Sequence, residues 1–154
     1  MDKHICKAKR MDDGEWVYGY FIGVSFDQAY LAVQSGDLAV WRTYPVELDT
    51  VCRCTGLHDD YKTSIFENDV VEFKCGSILD RILVCWNNEM SMLTAVPLDG
   101  IEFNGWDYWN GKCPQFEYST FCFMMQDPYG DFSEIKVVGN IIDDTELMEV
   151  TNGN

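Results

Sequence analysis

Residues 55–73 read TGLHDDYKTSIFENDVVEF. A polar, turn-rich opening leads to the apolar pair Ile65-Phe66, then to the acidic corner Glu67-Asn68-Asp69, and then to a run with strand character. Asp59 and Asp60 sit where Asx-turns form, because a short carboxylate can accept hydrogen bonds from amides a few residues on. Glu67 and Asp69 flank the corner that launches the next strand, where they can do the same. The stretch therefore predicts a polar loop over residues 56–64 and a strand over 65–74, with its acidic groups serving the backbone.

The same grammar extends on both sides. Residues 5–10 and 15–22 read as two strands joined at Asp12-Asp13-Gly14, since Asp and Gly tolerate the backbone of tight hairpins. In the second strand Trp16, Tyr18, Tyr20 and Ile22 alternate with Val17, Gly19 and Phe21, the period of two expected of a strand. The aromatic row is expected in the core, because aromatic rings dominate core burial. Gly19 predicts a bulge or the close approach of another backbone. Strands are also expected at 29–33 and 38–41 about the turn Ser35-Gly36-Asp37. Tyr44-Pro45 should end that pair, because proline donates nothing to a ladder. Further strands are expected over 46–48, 51–55, 79–86, 92–98, 116–125 and 134–142, with an aromatic loop over 101–114. Residues 144–150 read as a short helix capped by Asp143 or Asp144, with Glu146 in its first turn. Many short strands between Gly, Asn, Asp and Pro turns predict an all-β sandwich or barrel with one short C-terminal helix. The expected organisation is one domain over 1–150, with the option of an N-terminal β subdomain of about 1–50 packed on the rest, and a frayed tail over 151–154.

Composition narrows the function classes. Of 154 residues, 47% are hydrophobic and 14% aromatic, too apolar for general disorder. No run approaches the roughly 20 apolar residues of a membrane helix, and the start MDKHICKAKR has no apolar segment of a secretory signal. No membrane association is expected. The formal net charge of −15 repels phosphate backbones, and the one basic cluster, Lys3, Lys7, Lys9 and Arg10, is short. Direct nucleic-acid binding is disfavoured. Seven cysteines, an odd number in mostly apolar contexts, point to a reducing cytoplasm and buried thiols.

Candidate chemistry is sparse. Cys52 and Cys54 share one face of a strand, but neither the spacing nor further ligands match a zinc or redox motif. His58 stands beside Asp59 and Asp60, and such a pair can act as a general base only with a nucleophile or activated water in reach. Acidic pairs recur at 12–13, 59–60 and 143–144 without the spacing of a calcium loop, and there is no Gly-rich phosphate loop. No cofactor, metal or catalytic residue is assigned. The aromatic loop at 103–111, with Trp106, Tyr108 and Trp109, is the foremost candidate for a partner-binding element, since Trp and Tyr are enriched at interface hot spots. Its alternative is a lid over one end of a barrel.

In three segments the chain resembles the YopX family of phage and prophage proteins. These are KAKRMDDGEWVYGYFI at 7–22, TYPVELDTVCRCTGLHDDYKTSIFENDVVEF at 43–73 and VVGNIIDDTELME at 137–149. The positions that carry the signature are Thr55, Gly56, Leu57 and Asp59 in the loop, and Phe66, Glu67, Asn68 and Asp69 at the corner. Gly139 and Asn140 carry it where the last strand bends away. The resemblance implies a mostly β fold, a phage or prophage origin and a role in the host cytoplasm. The family has no established activity, so no catalytic residue is carried over. Where the family commonly has Glu-Gly-Asp, this chain has Glu67-Asn68-Asp69. The Gly implies a left-handed backbone position, which Asn tolerates next best. The expected function is a non-enzymatic interaction module with a protein partner, able to form homo-oligomers. The alternatives are an acidic DNA mimic that inhibits nucleic-acid-binding machinery, and a hydrolase using His58 or a carboxylate pair.

Overall fold

Period-two alternation broken by turn residues produces strands almost throughout. The computed structural model describes residues 4–25, 27–36, 40–75, 77–88, 91–98, 116–117 and 132–148. The chain divides into two units, 1–56 and 57–154. The fold is all-β, with two antiparallel sheets and only two short 3-10 turns among the described residues.

The first unit is a meander of β1 (Ile5–Lys9), β2 (Trp16–Ser25), β3 (Gln28–Ser35) and β4 (Val40–Val46). A 3-10 turn (Leu48–Thr50) leads to β5 (Cys52–His58), which pairs with β1 and runs on into the second unit. The order is β4-β3-β2-β1-β5, with β6 (Ser64–Phe66) as the next neighbour of β5. Cys6, Ala8, Ala29, Leu31 and Val46 form the buried core, with Val17, Tyr44 and Val51 packed against it.

In the second unit β7 (Asp69–Cys75), β8 (Ile78–Asn87) and β9 (Met92–Pro97) form consecutive hairpins. β10 (Phe116–Glu117) and β11 (Phe132–Asn140) complete the order β10-β9-β8-β7-β11. Val71, Phe73, Ile82, Val84, Ala95 and Ile135 centre one core, and Val70, Leu83 and Leu98 a smaller one. These alternate along β7 and β8, so the two clusters occupy opposite faces of the sheet.

Several expectations need correction. The row Trp16, Tyr18, Tyr20, Ile22 is not core: Tyr18 is 46%, Tyr20 37% and Ile22 56% exposed. Alternation put these residues together, but both faces of β2 are apolar, and parity does not say which one points inward. Pro45 lies inside β4 opposite Tyr30 rather than after it. β4 is the end strand of its sheet, where a missing N–H costs little. Of the strand expected over 46–48 only Val46 is extended, as the last residue of β4 with an added bridge to Arg10, and the 3-10 turn follows. The strand expected over 65–74 is two, β6 and β7, broken at Glu67-Asn68. The C-terminal helix is a single 3-10 turn, Thr145–Met148, with Asp144 Oδ1 accepting from the Glu146 amide at 3.0 Å. Of the strand expected over 116–125, only β10 lies within the described residues, and the tail 151–154 lies outside them.

Gly19 is needed for close approach. A Cβ there would stand 2.3 Å from the Ala32 carbonyl oxygen and 3.0 Å from Val33 Cγ2. The bulge lies further along, between Phe21 and Gly23, where Gly23 has φ +118°. Backbone cannot yield as a side-chain tip can, so Gly19→Ala is expected to cost on the order of 1–3 kcal/mol. A urea-unfolding midpoint equal to that of the parent chain would contradict this account.

Candidate functional site

The acidic signature folds into two hydrogen-bonded corners. Asp59 is buried. Its Oδ1 accepts from the Tyr61 amide at 2.9 Å and the Thr63 amide at 2.8 Å, so the carboxylate shapes the loop as an Asx-turn. Lys62, inside that loop, takes φ +68°. Asp59 Oδ2 reaches outward and accepts from the Val137 amide of β11 at 2.9 Å. Asp60 does likewise: its Oδ2 accepts from the Ile135 amide at 2.9 Å, and its own N–H donates to the Ile135 carbonyl at 3.1 Å. β11 is an end strand whose register against β7 shifts between Ser133 and Lys136 and between Val137 and Gly139. The loop therefore satisfies amides on an irregular sheet edge, which would otherwise invite pairing with another chain.

The second corner surrounds Asn68, whose φ of +69° is the left-handed conformation the resemblance implied. Its N–H donates to Val84 O at 2.6 Å, and its carbonyl accepts from the Ile141 amide at 3.0 Å. Asp69, 1% exposed, accepts from the Phe66 amide through Oδ2 at 2.7 Å and from Asn140 Nδ2 through Oδ1 at 2.8 Å. Asn140 Nδ2 also lies 3.3 Å from Glu67 O, and Asn140 Oδ1 accepts from the Ile142 amide at 3.0 Å. At Gly139 a Cβ would meet Leu147 Cδ1 at 2.7 Å. Phe66 and Thr55 are buried, Leu57 packs against the larger core, and Gly56 takes φ +80°. The structure thus brings Glu67, Asn68, Asp69 and Asn140 together, and separately ties Asp59 to β11.

The chemistry open to this arrangement is limited. Every carboxylate oxygen of Asp59 and Asp69 holds at least one N–H donor. His58 Nδ1 lies 3.2 Å from the Asp59 carbonyl oxygen, while the Asp59 carboxylate is directed at amides. Cys52 and Cys54 are both buried: Cys52 Sγ donates to Thr50 O at 3.4 Å, and the Gly56 amide donates to Cys54 Sγ at 3.4 Å. Among the described residues no three His, Cys, Asp or Glu side chains converge as a metal site, and no helix is long and apolar enough to cross a membrane. Trp106, Tyr108 and Trp109 lie outside the described residues.

A second locus lies in the first unit. Register places Tyr20 opposite Ala32, Ala32 opposite Thr43 and Gln34 opposite Trp41, so Tyr20 and Trp41 share a face. Their ring centroids are 5.8 Å apart at 59°, and Trp41 is 52% exposed. Tyr18 extends the row, and Lys7 and Lys9 place ammonium groups 4.9 and 4.8 Å from the Trp16 ring. At the turn end of the hairpin, Arg10 stacks 4.5 Å over Tyr44 and bonds Asp12 and Asp13. The hydrogen bond between them raises the Arg10 pKa and lowers that of Asp12. Sequence reasoning assigned the row to the core. β2, β3 and β4 contain no Asp or Glu, although 26 of 154 residues are acidic, so no acidic charge marks either face as the solvated one. Solvent-facing strands elsewhere carry charges, as Glu72, Lys74, Glu134 and Lys136 show on β7 and β11.

No family model matches the chain, and neither a characterised protein nor a solved structure does.

Two outcomes follow from the corners. Asp59→Ala removes the acceptor of three amides and should lower stability by about 2–4 kcal/mol, with faster hydrogen exchange at the Val137 amide. Unchanged exchange there would contradict the bond from the Val137 amide to Asp59. Asn68→Gly should be neutral or mildly stabilising, and Asn68→Val should cost about 1–3 kcal/mol because a β-branched residue resists positive φ. Equal melting temperatures for these two variants would refute the conformational role.

Proposed function

We propose that the chain is a non-enzymatic protein-interaction module of the YopX type, made from a phage or prophage genome and acting in the bacterial cytoplasm. The observation that carries this reading is the exposed aromatic row of β2 with Trp41 of β4. Large rings held on a rigid sheet gain contact area at little entropic cost, which is why Trp and Tyr concentrate at hot spots. The acidic signature supports the same reading from the other side, since its buried carboxylates are engaged with amides. The family assignment rests on the three sequence segments alone.

A second reading keeps the acidic DNA mimic. Residues 57–154 hold eighteen Asp and Glu against five Lys and Arg, whereas residues 1–56 hold eight against six. Concentrated carboxylates of this kind can occupy a phosphate-binding channel in a basic partner.

Affinity purification of the tagged full chain from its bacterial host separates the two. Tyr18→Ser with Trp41→Ser should abolish partner capture while leaving the melting temperature unchanged, because both side chains are exposed. Capture that survives these substitutions would overturn the aromatic-row reading. If such capture also vanishes as salt is raised, the acidic mimic takes its place.

A further inference from the structure

We infer that the outer surface of β2, β3 and β4 is the seam of a homodimer, and that its occupant is the same surface of a second copy of this chain. This rests on the interaction-module reading and names its partner. The surface is apolar well beyond a single side chain. Tyr18, Tyr20 and Trp41 are exposed on one face, and Phe21, Ile22, Val24 and Val40 are exposed along the same strands. Phe21 is opposite Leu31, Val24 opposite Ala29 and Val40 opposite Ser35, so these three stand on the core-facing side and are no part of the outer seam. Tyr18, Tyr20 and Trp41 make the exposed row of the outer face, and large apolar rings left exposed together on a rigid sheet mark an interaction site.

Charge selects the occupant. The three strands, of 10, 8 and 7 residues, hold no Asp or Glu, and Arg42 is their only charged residue. Arg42 stands opposite Val33 on the core-facing side, and the cations beside the outer row, Lys7 and Lys9, are held over the Trp16 ring, too few to neutralise the phosphates of a nucleic acid. An acidic peptide meets the same shortage, and a basic partner finds no carboxylate. What fits is an uncharged apolar surface of matching extent, which a second copy carries by construction. Two-fold pairing of one patch with itself is the commonest way soluble chains associate.

With a net charge of −15, two copies of the chain repel each other wherever their acidic residues meet. The acid-free strands are where that repulsion is least. β4 is also an end strand of its sheet among the described residues; Arg42 is the one charged side chain along 40–43, and Pro45 guards the far end. The Trp41–Tyr20 pair lies beside this edge and forms the centre of the seam.

The test is sedimentation equilibrium of the full chain across a wide concentration range, at low and high salt. The parent chain should dimerise. Its dimer should tighten or hold as salt rises, since screening removes like-charge repulsion and the seam has no ion pair to lose. Trp41→Glu should weaken the dimer by about a hundredfold. Ile22→Ser, at a side chain whose exposure leaves folding unaffected, should weaken it by about tenfold. Leu79→Glu, in the second unit, should leave it unchanged. A monomeric parent chain overturns the proposal, as does a dimer that both seam variants leave intact or that dissociates in high salt. If the parent is monomeric yet a host protein is lost on Tyr18→Ser with Trp41→Ser, the second copy is excluded and the interaction reading stands. If that capture is also unaffected, both fall.

Discussion

The second unit depends on carboxylates used as backbone partners. Asp59, Asp60 and Asp69 each accept from main-chain amides, and Asp59 and Asp60 reach residues more than seventy positions away. An ionised oxygen accepting an N–H forms a stronger bond than a neutral carbonyl does. A buried carboxylate is tolerable only when such donors replace its water. Here the two needs are met together. The irregular register of β11 leaves amides that do not pair regularly with β7, and the loop at 59–63 supplies the acceptors. Asn140, at the end of β11, closes the second link to Asp69 and Glu67.

The same constraint limits what these carboxylates can do chemically. Carboxylates committed to holding amides are poor acids, bases or metal ligands, because releasing them would orphan buried donors. The acidic signature therefore reads as architecture, and attention moves to surfaces that carry no such duty. The exposed row on β2 and β4 is one, built where the first unit has run out of core to bury it. Its small core of Cys6, Ala8, Ala29, Leu31 and Val46 occupies one face of the meander. That leaves large aromatic side chains on the other face with solvent, or with a partner.

Much of the local structure was legible because its causes are local. The first hairpin and the alternation of β2 each follow from a few neighbouring residues. So does the Asx-turn at Asp59, whose Oδ1 bonds stay within the loop. The left-handed backbone at Asn68 was instead an implication of the resemblance. The close approach at Gly19 was legible as well, since only a residue without a Cβ leaves room for the Ala32 carbonyl. The break between β6 and β7 was not, although its corner was, because the turn at Asn68 needs Val84 and Ile141 to complete its hydrogen bonds. Pro45 misled for a related reason: its cost depends on whether its strand has a neighbour on that side, which sequence order does not tell.

By itself the sequence determined the strand-and-turn grammar, the all-β class and the acidic balance, because propensity, periodicity and charge are properties of short segments. Tertiary structure alone decided which face of β2 is inward, since both faces are apolar and the choice depends on what β1 and β3 bring alongside. It also decided that the Asp59 carboxylate spans to Val137 rather than serving His58. That assignment is made by the register of a strand folded back from far along the chain, and no local pattern carries that information.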